Sequence, residues 1–171
     1  EALKKSKDRN ARRLGDQLFP YTREGMYGMY FTGKSNVDFS KDLVVLELEE
    51  LNSKKDLQSV ILFIMMFRIT QAMYHDRRDR KKICIIDEAW RLLGRGRSGE
   101  FIEEGYRVAR KHGGSFATIT QKISDYFTSE TAKAAYMNSD FALYLRQKPE
   151  ELTSAEKLGH IDNSDGKVDV L

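Results

Sequence analysis

Two adjacent carboxylates, Asp87 and Glu88, directly follow the short apolar run at residues 83–86. A continuous apolar run bounded by charge is typical of a strand that is buried on both faces of a parallel sheet. Carboxylates at the end of such a strand lie where open α/β sheets bind ligands. Asp87 could hold Mg²⁺ through water while Glu88 polarises an attacking water, which is the form of a Walker B motif with its catalytic glutamate. The alternative is a strand that ends in a solvated acidic turn.

A second candidate for phosphate chemistry is the segment at residues 28–35. It matches the pattern G-x-x-x-x-G-K-S of a phosphate-binding loop, with Lys34 at the lysine position. Such a loop needs a strand before it and a helix directly after it, because its amides lead into a helix N-terminus. Here the residues between the two glycines are bulky, and the next clear element is a predicted strand at 43–48. We therefore interpret this match as a decoy without phosphate-binding function.

Several stretches occur in the same order as in one known family. They read IIDEAW at 85–90, FIEEGYRVARK at 101–111, GGSFATITQ at 113–121, LVVLELEEL at 43–51 and LRQKPE at 145–150, and the segment 58–72 adds to them. Together they resemble the conjugative type IV secretion ATPases of the TraC family, over roughly residues 15–160. The resemblance implies a RecA-like P-loop NTPase fold, with ATP and Mg²⁺ as cofactors.

The resemblance also implies roles for four further side chains. Gln121 would sense the γ-phosphate, because its amide can hydrogen-bond both water and a phosphate oxygen; the alternative is a turn glutamine. Arg107 and Arg110 would reach into a neighbouring subunit and stabilise γ-phosphate charge; the alternative is a solvated basic face. Arg146, at the end of a predicted strand, would reach phosphate.

Strand and helix patterns alternate along the chain and predict an α/β fold with a mostly parallel sheet flanked by helices. Buried strands are predicted at 43–48, 83–87, 115–120 and 141–145, and helices at about 8–19, 54–76, 99–112, 129–137 and 150–158. In the implied RecA-like sheet the interior P-loop strand would precede Glu1. We therefore expect a single C-terminal fragment, residues 1–171, with that strand missing. Its expected parts are a helix and loop lead-in at 1–40, an α/β core at 41–160 and a tail at 161–171.

Composition limits the other function classes. The chain has 29 Lys and Arg against 26 Asp and Glu, a net charge of +3 that is too small to argue nucleic-acid binding by itself. The longest apolar run, residues 60–67, is far shorter than the ~20 residues of a membrane span, so no transmembrane segment is predicted. The single cysteine, Cys84, excludes a disulfide within the chain and fits a reducing cytoplasm.

The function that the resemblance implies is a motor ATPase of a conjugative type IV secretion system, which hydrolyses ATP to drive pilus assembly and DNA or protein transfer. It would form a homo-oligomer, a hexamer, that contacts inner-membrane components of the secretion channel. It would lie in the cytoplasm at the inner membrane of a Gram-negative bacterium. Two alternatives stay open: a DNA-translocating coupling protein or HerA/FtsK-type pump, which would contact nucleic acid, and a non-catalytic docking module. We expect this fragment alone to be inactive.

Overall fold

The computed structural model describes residues 2–34, 37–75, 79–94 and 96–161. These residues form six α-helices and two β-strands: α1 (Arg9–Leu18), α2 (Gly28–Phe31), α3 (Lys55–Tyr74), β1 (Lys82–Ile86), α4 (Gly96–Val108), β2 (Gly114–Thr118), α5 (Glu130–Met137) and α6 (Pro149–Lys157). Short 3₁₀ turns lie at Phe19–Tyr21, Glu49–Leu51, Ala89–Arg91, Ala109–His112 and Ile123–Phe127. The chain divides into two compact units, Glu1–Ile61 and Leu62–Leu171. The predicted lead-in, core and tail stay a prediction, and residues 162–171 of the tail lie outside the described residues.

The first unit begins with the predicted N-terminal helix. Asp8 is the N-cap of α1, and its side chain accepts a hydrogen bond from the Asn10 amide at 2.8 Å. The helix ends at Leu18, where the 3₁₀ turn that contains Pro20 follows. This helix and its stop at Pro20 are therefore confirmed.

The strand predicted at residues 43–48 is wrong. This segment has no regular structure and pairs with no strand in the described part of the chain, and its apolar side chains Leu43 and Val45 are 79% and 77% exposed. An apolar run gives a strand only where a neighbouring backbone satisfies its amides and carbonyls. Here the amides of Leu48 and Glu49 instead bond the Glu47 carboxylate, each at 3.1 Å.

The surroundings of Lys34 differ from those of a phosphate-binding loop. The glycine that begins the match is the first residue of α2, and Lys34 itself is exposed. α1 and a 3₁₀ turn precede the segment, and the next α-helix begins at Lys55. Ser35 lies outside the described residues. Neither a preceding strand nor a directly following helix is therefore present around Lys34 in the part of the chain that the structure describes.

The second unit contains the sheet. β1 and β2 pair in parallel, from Lys82 opposite Gly114 to Ile86 opposite Thr118, and α4 lies in the connection between them. The predicted α/β class with a parallel sheet is confirmed, but of the four predicted strands only these two form in the described residues.

The two-stranded sheet is covered on one face only. Cys84 and Ile86 pack against buried clusters on the helical side, whereas Ile83 and Ile85 are 61% and 60% exposed. The prediction that this strand is buried on both faces is therefore wrong for the described chain. The physical reason is that alternate side chains point to opposite faces and only one layer of packing covers the sheet.

α4, α5 and β2 enclose the core of the second unit. Ile102 of α4 is fully buried together with Ala89, Ala132 and Ala135. In a second cluster the ring of Phe116 packs beneath α4, and a Cβ at Gly105 would lie only 2.5 Å from that ring. The helix therefore needs glycine at this position to approach β2 closely.

The remaining boundaries differ from prediction for local reasons. α4 begins at Gly96, three residues before its predicted start, and its C-terminal end tightens into the 3₁₀ turn Ala109–His112, which Gly113 ends with φ 71°. The strand predicted at 141–145 is wrong, because this segment has no regular structure and pairs with no strand in the described chain. Its apolar side chains Phe141, Leu143 and Leu145 are 93%, 87% and 72% exposed.

α3 confirms the predicted long helix and is apolar on all sides. By length and composition alone it could cross a membrane, and 11% of its most apolar window is buried inside the structure. Such a single helix is weak evidence for a span, since core helices of soluble proteins pass the same test. The prediction that the chain has no transmembrane segment stays a prediction.

Candidate functional site

The backbone brings the two predicted groups of polar side chains to one edge of the sheet. Beyond the ends of β1 and β2, the Ile119 amide donates to the Ile86 carbonyl at 2.9 Å, and the Ala89 amide donates to the Ile119 carbonyl at 2.9 Å. The pairing therefore continues past both strands. As a result, the segments that carry Glu88 and Gln121 leave the sheet side by side, as expected for parallel neighbours.

Glu88 lies on an unusual backbone bend. Its φ of 52° and ψ of 36° are left-handed, and it is the only residue other than glycine with a positive φ in the described ranges. This conformation costs about 1–2 kcal/mol for an L-residue. Two features hold it: the next residue, Ala89, is fully buried, and the Glu88 amide donates to Asp87 Oδ1 at 2.8 Å. Strain of this kind is found preferentially at functional sites.

Two N–H groups hold the carboxylate of Glu88. Gln121 Nε2 donates to Oε1 at 2.9 Å and to Oε2 at 3.2 Å, and Trp90 Nε1 donates to Oε2. The bond from Gln121, then that from Trp90 and the nearby charge of Arg91 lower the pKa of Glu88 below its ordinary value. The group is therefore an ionised, oriented carboxylate that can accept a hydrogen bond or a proton from water.

Asp87 is suited to a metal ion that is coordinated mainly by water molecules and by oxygen atoms of a bound small molecule. Its carboxylate is exposed beside Glu88, and in the described part of the chain no three His, Cys, Asp or Glu side chains converge on one point. Mg²⁺ prefers one or two carboxylates together with waters and phosphate oxygens. The side chains that are present are thus suitable for a water-bridged Mg²⁺ and do not form a closed protein cage.

A tyrosine pair fastens the end of β2 that leads to Gln121. The Thr118 amide donates to the Tyr106 hydroxyl at 3.0 Å, and the Tyr126 hydroxyl donates to the Thr118 carbonyl at 3.0 Å. Both hydroxyls also lie 2.8 Å from Thr118 Oγ1. The amide and carbonyl of Thr118, on the outer side of β2, are thereby satisfied without a further strand, which fixes the exit of the chain toward Gln121.

Sequence reasoning gave Trp90, Tyr106 and Tyr126 no role. A signal was present for Tyr106, which stands four residues after the buried Ile102 and therefore shares its helix face. Trp90 follows Glu88 by two residues, but its contact depends on the left-handed bend, which nothing in the sequence indicates.

The predicted arginines are not joined to this site in the described chain. Arg107 is paired with Glu103 of its own helix at 2.9 Å, and Arg110 is exposed in the 3₁₀ turn that follows α4. Arg146 is also exposed, and its predicted place at the end of a strand is wrong because segment 141–145 is unpaired. The structure thus brings together Asp87, Glu88 and Gln121, while the roles of the arginines stay predictions.

Comparison with known proteins gives one matching family model and two curated relatives. The family model of the TraG P-loop domain matches residues 1–158. The chain is 39% identical over 147 residues to Protein TraC of Escherichia coli (strain K12). This match covers 82% of the chain and 17% of that protein. It is 25% identical over 156 residues to Type IV secretion system protein CagE of Helicobacter pylori (strain ATCC 700392 / 26695). This match covers 89% of the chain and 16% of that protein. The chain therefore spans about a sixth of the length of these curated relatives. No solved structure matches it.

Proposed function

The chain belongs to the TraG P-loop domain family, and from this premise we propose that it is part of the motor ATPase of a conjugative type IV secretion system. The resemblance to the TraC family that the sequence motifs indicate is confirmed by the similarity to TraC itself. In the proposal, ATP hydrolysis drives pilus assembly and the transfer of DNA or protein. The observation that carries it is the Glu88 carboxylate, held by Gln121 across two neighbouring strand ends and directly beside Asp87.

Each side chain of this group has a part in the proposed reaction. Asp87 holds Mg²⁺ through water, and the ion supplies neutralising charge on the triphosphate when it is bound. Glu88 orients the attacking water and accepts its proton, for which an ionised carboxylate is required. Gln121 already donates to Glu88, so its amide is placed to bond both the water and a γ-phosphate oxygen.

The arginines complete the proposal at subunit boundaries. Arg107 and Arg110 lie on the exposed side of the α4 region, where a neighbouring subunit of a hexamer can receive them. Arg146 contributes to phosphate binding once its segment is ordered in a strand. Further partners are inner-membrane components of the secretion channel, and the protein works in the cytoplasm at the inner membrane of a Gram-negative bacterium.

We further propose that the complete domain is RecA-like and that its P-loop strand lies outside these residues. Three surfaces support this: the uncovered face of β1 with Ile83 and Ile85, the unpaired apolar segment 141–145, and the apolar sides of α3. Apolar surface of this kind is normally covered in a finished domain. We expect the chain alone to bind Mg²⁺-ATP weakly or not at all, with no further change in Lys34→Ala.

Hydrolysis by the intact protein tests the proposed function. We expect Mg²⁺-dependent ATPase activity, and in Glu88→Gln a loss of about 10²-fold or more in kcat, because the general base is removed. Glu156→Gln, an exposed glutamate of α6, is the matched control and should hydrolyse ATP at the wild-type rate. An intact protein without ATPase activity, or a Glu88→Gln variant with wild-type kcat, would refute the proposal.

Calorimetry on the 171-residue chain tests the proposed position of the P-loop. Micromolar binding of Mg²⁺-ATP that is lost in Lys34→Ala would show that residues 28–35 bind phosphate after all. The proposal that the P-loop lies elsewhere would then be abandoned, whereas the roles of Glu88 and Gln121 would stand.

A further inference from the structure

We propose that Trp90 is a positioning residue, whose indole N–H fixes the Glu88 carboxylate in the orientation that hydrolysis requires. This inference rests on the proposed ATPase function of the same site. The primary observation is the hydrogen bond from Trp90 Nε1 to Glu88 Oε2, an oxygen that also accepts from Gln121 Nε2 at 3.2 Å.

The backbone explains how Trp90 reaches Glu88. The left-handed bend at Glu88 leads directly into the 3₁₀ turn Ala89–Arg91. Ala89 is fully buried and its amide is bonded to the Ile119 carbonyl, so the base of the turn is fixed to the sheet. From this fixed turn, the indole of Trp90 reaches back to the carboxylate of Glu88. The conformational cost at Glu88 is thus matched by a specific contact that only this bend allows.

Packing does not account for the position of Trp90. Its side chain is 38% exposed, and it is a member of neither buried cluster of the second unit. The Arg91 guanidinium lies 5.3 Å from the centre of its ring, which adds a contact on the exposed side. A large aromatic residue that is partly exposed and bonded to a carboxylate is better explained by its polar group than by burial.

The chemistry of the indole suits this role. Trp Nε1 can only donate, so it cannot compete with Glu88 for a proton and does not titrate. The amide of Gln121 has to serve two partners in the proposed reaction, Glu88 and the γ-phosphate. When Gln121 turns toward phosphate, Trp90 is the donor that keeps the Glu88 carboxylate in place. A general base that is moved out of its productive position lowers the reaction rate even when it remains ionised.

Steady-state kinetics of the intact protein test this inference. Trp90→Phe keeps an aromatic ring and removes the N–H, and we expect kcat to fall about tenfold or more while KM for ATP changes less than about twofold. Trp90→His retains a ring N–H and should recover part of kcat. Tyr30→Phe, an exposed aromatic residue of the first unit, is the control and should match wild type.

Fluorescence tests the contact without any activity. Trp90 is the only tryptophan in the chain, so its emission reports on the neighbouring carboxylate. At neutral pH the emission maximum of the wild-type chain should differ from that of Glu88→Gln, because the charged acceptor of the indole N–H is lost in that variant. Circular dichroism of Trp90→Phe establishes that this variant is folded before its kinetics are compared.

The outcomes separate the two proposals. If the wild type hydrolyses ATP and folded Trp90→Phe keeps the wild-type kcat, the role of Trp90 is refuted and the ATPase function stands. Emission that does not differ between the wild type and Glu88→Gln also refutes it, since the contact itself is then absent. If the wild type hydrolyses no ATP, the proposed function fails first and the role of Trp90 fails with it.

Discussion

Two neighbouring isoleucines of β1 should differ sharply in what they contribute to stability. Ile86 faces the helices and packs against both buried clusters, whereas the side chain of Ile85 points to the uncovered face and is 60% exposed. The two residues share type, strand and hydrogen-bonding partner strand. Ile86→Ala and Ile85→Ala therefore form a matched pair that tests whether the sheet is covered on one face only.

The expected magnitudes follow from the burial of each side chain. Truncating a buried isoleucine to alanine costs about 2–5 kcal/mol, and we expect about 3 kcal/mol for Ile86→Ala, which is partly buried and packs against both clusters. At Ile85 about 40% of the side chain is withdrawn from water. Three carbons at ~0.8 kcal/mol each, scaled by this fraction, give about 1 kcal/mol. The difference between the variants should be about 2 kcal/mol.

Urea unfolding of the 171-residue chain, followed by far-ultraviolet circular dichroism, measures both losses. Equal losses for the two variants would show that Ile85 is covered, and the description of a one-sided sheet would be wrong. The same pair in the intact protein tests completion of the domain. There the loss for Ile85→Ala should rise toward that for Ile86→Ala, because further chain covers the exposed face.

Three further predictions concern single side chains of the second unit. Burial raises the pKa of Cys84 to about 11 from 9.0, so at pH 8 the native thiol should react with a disulfide reagent about 100-fold more slowly than the unfolded chain; equal rates would contradict this. Tyr126→Phe leaves the Thr118 carbonyl without its donor and should cost about 1–3 kcal/mol in urea unfolding, against less than about 0.5 kcal/mol for the control Tyr30→Phe. The lowered pKa of Glu88 stabilises the fold fully above its ordinary value of 4.5, and this contribution is lost as pH falls through the folded value. The stability difference between wild type and Glu88→Gln should therefore shrink as the pH falls below 4.5, and a constant difference would argue against the bonds to the carboxylate.

Much of the candidate site could be predicted because its signals are local. The apolar run before Asp87 and the alternating segment before Gln121 each specify a strand, and parallel pairing then places both strand ends at one edge. The same holds for α1, whose capping residue and following proline lie next to each other in sequence. Such elements need no knowledge of the rest of the fold.

The contacts within the site depend on geometry that the sequence does not signal. Glutamate has no preference for a left-handed backbone, so the bend at Glu88 and the return of Trp90 onto its carboxylate could not be anticipated. The hydrogen bonds between tyrosine hydroxyls and Thr118 could not be anticipated either. They require Tyr106 and Tyr126, which come from different elements, to meet at one residue of β2.

The two segments for which the strand prediction is wrong differ from their sequence pattern in the same way. Segments 43–48 and 141–145 have the composition of buried strands, yet their apolar side chains are among the most exposed in the described chain. A sequence pattern reflects burial in the complete fold, whereas strand formation depends on a partner that is distant in sequence. If the domain is completed as proposed, these segments should pair with strands that lie outside the described residues. Glu88 and Gln121 are already joined in the described residues. We therefore expect hydrolysis to depend on completion of the domain, while the contact between Glu88 and Gln121 should already form in this part.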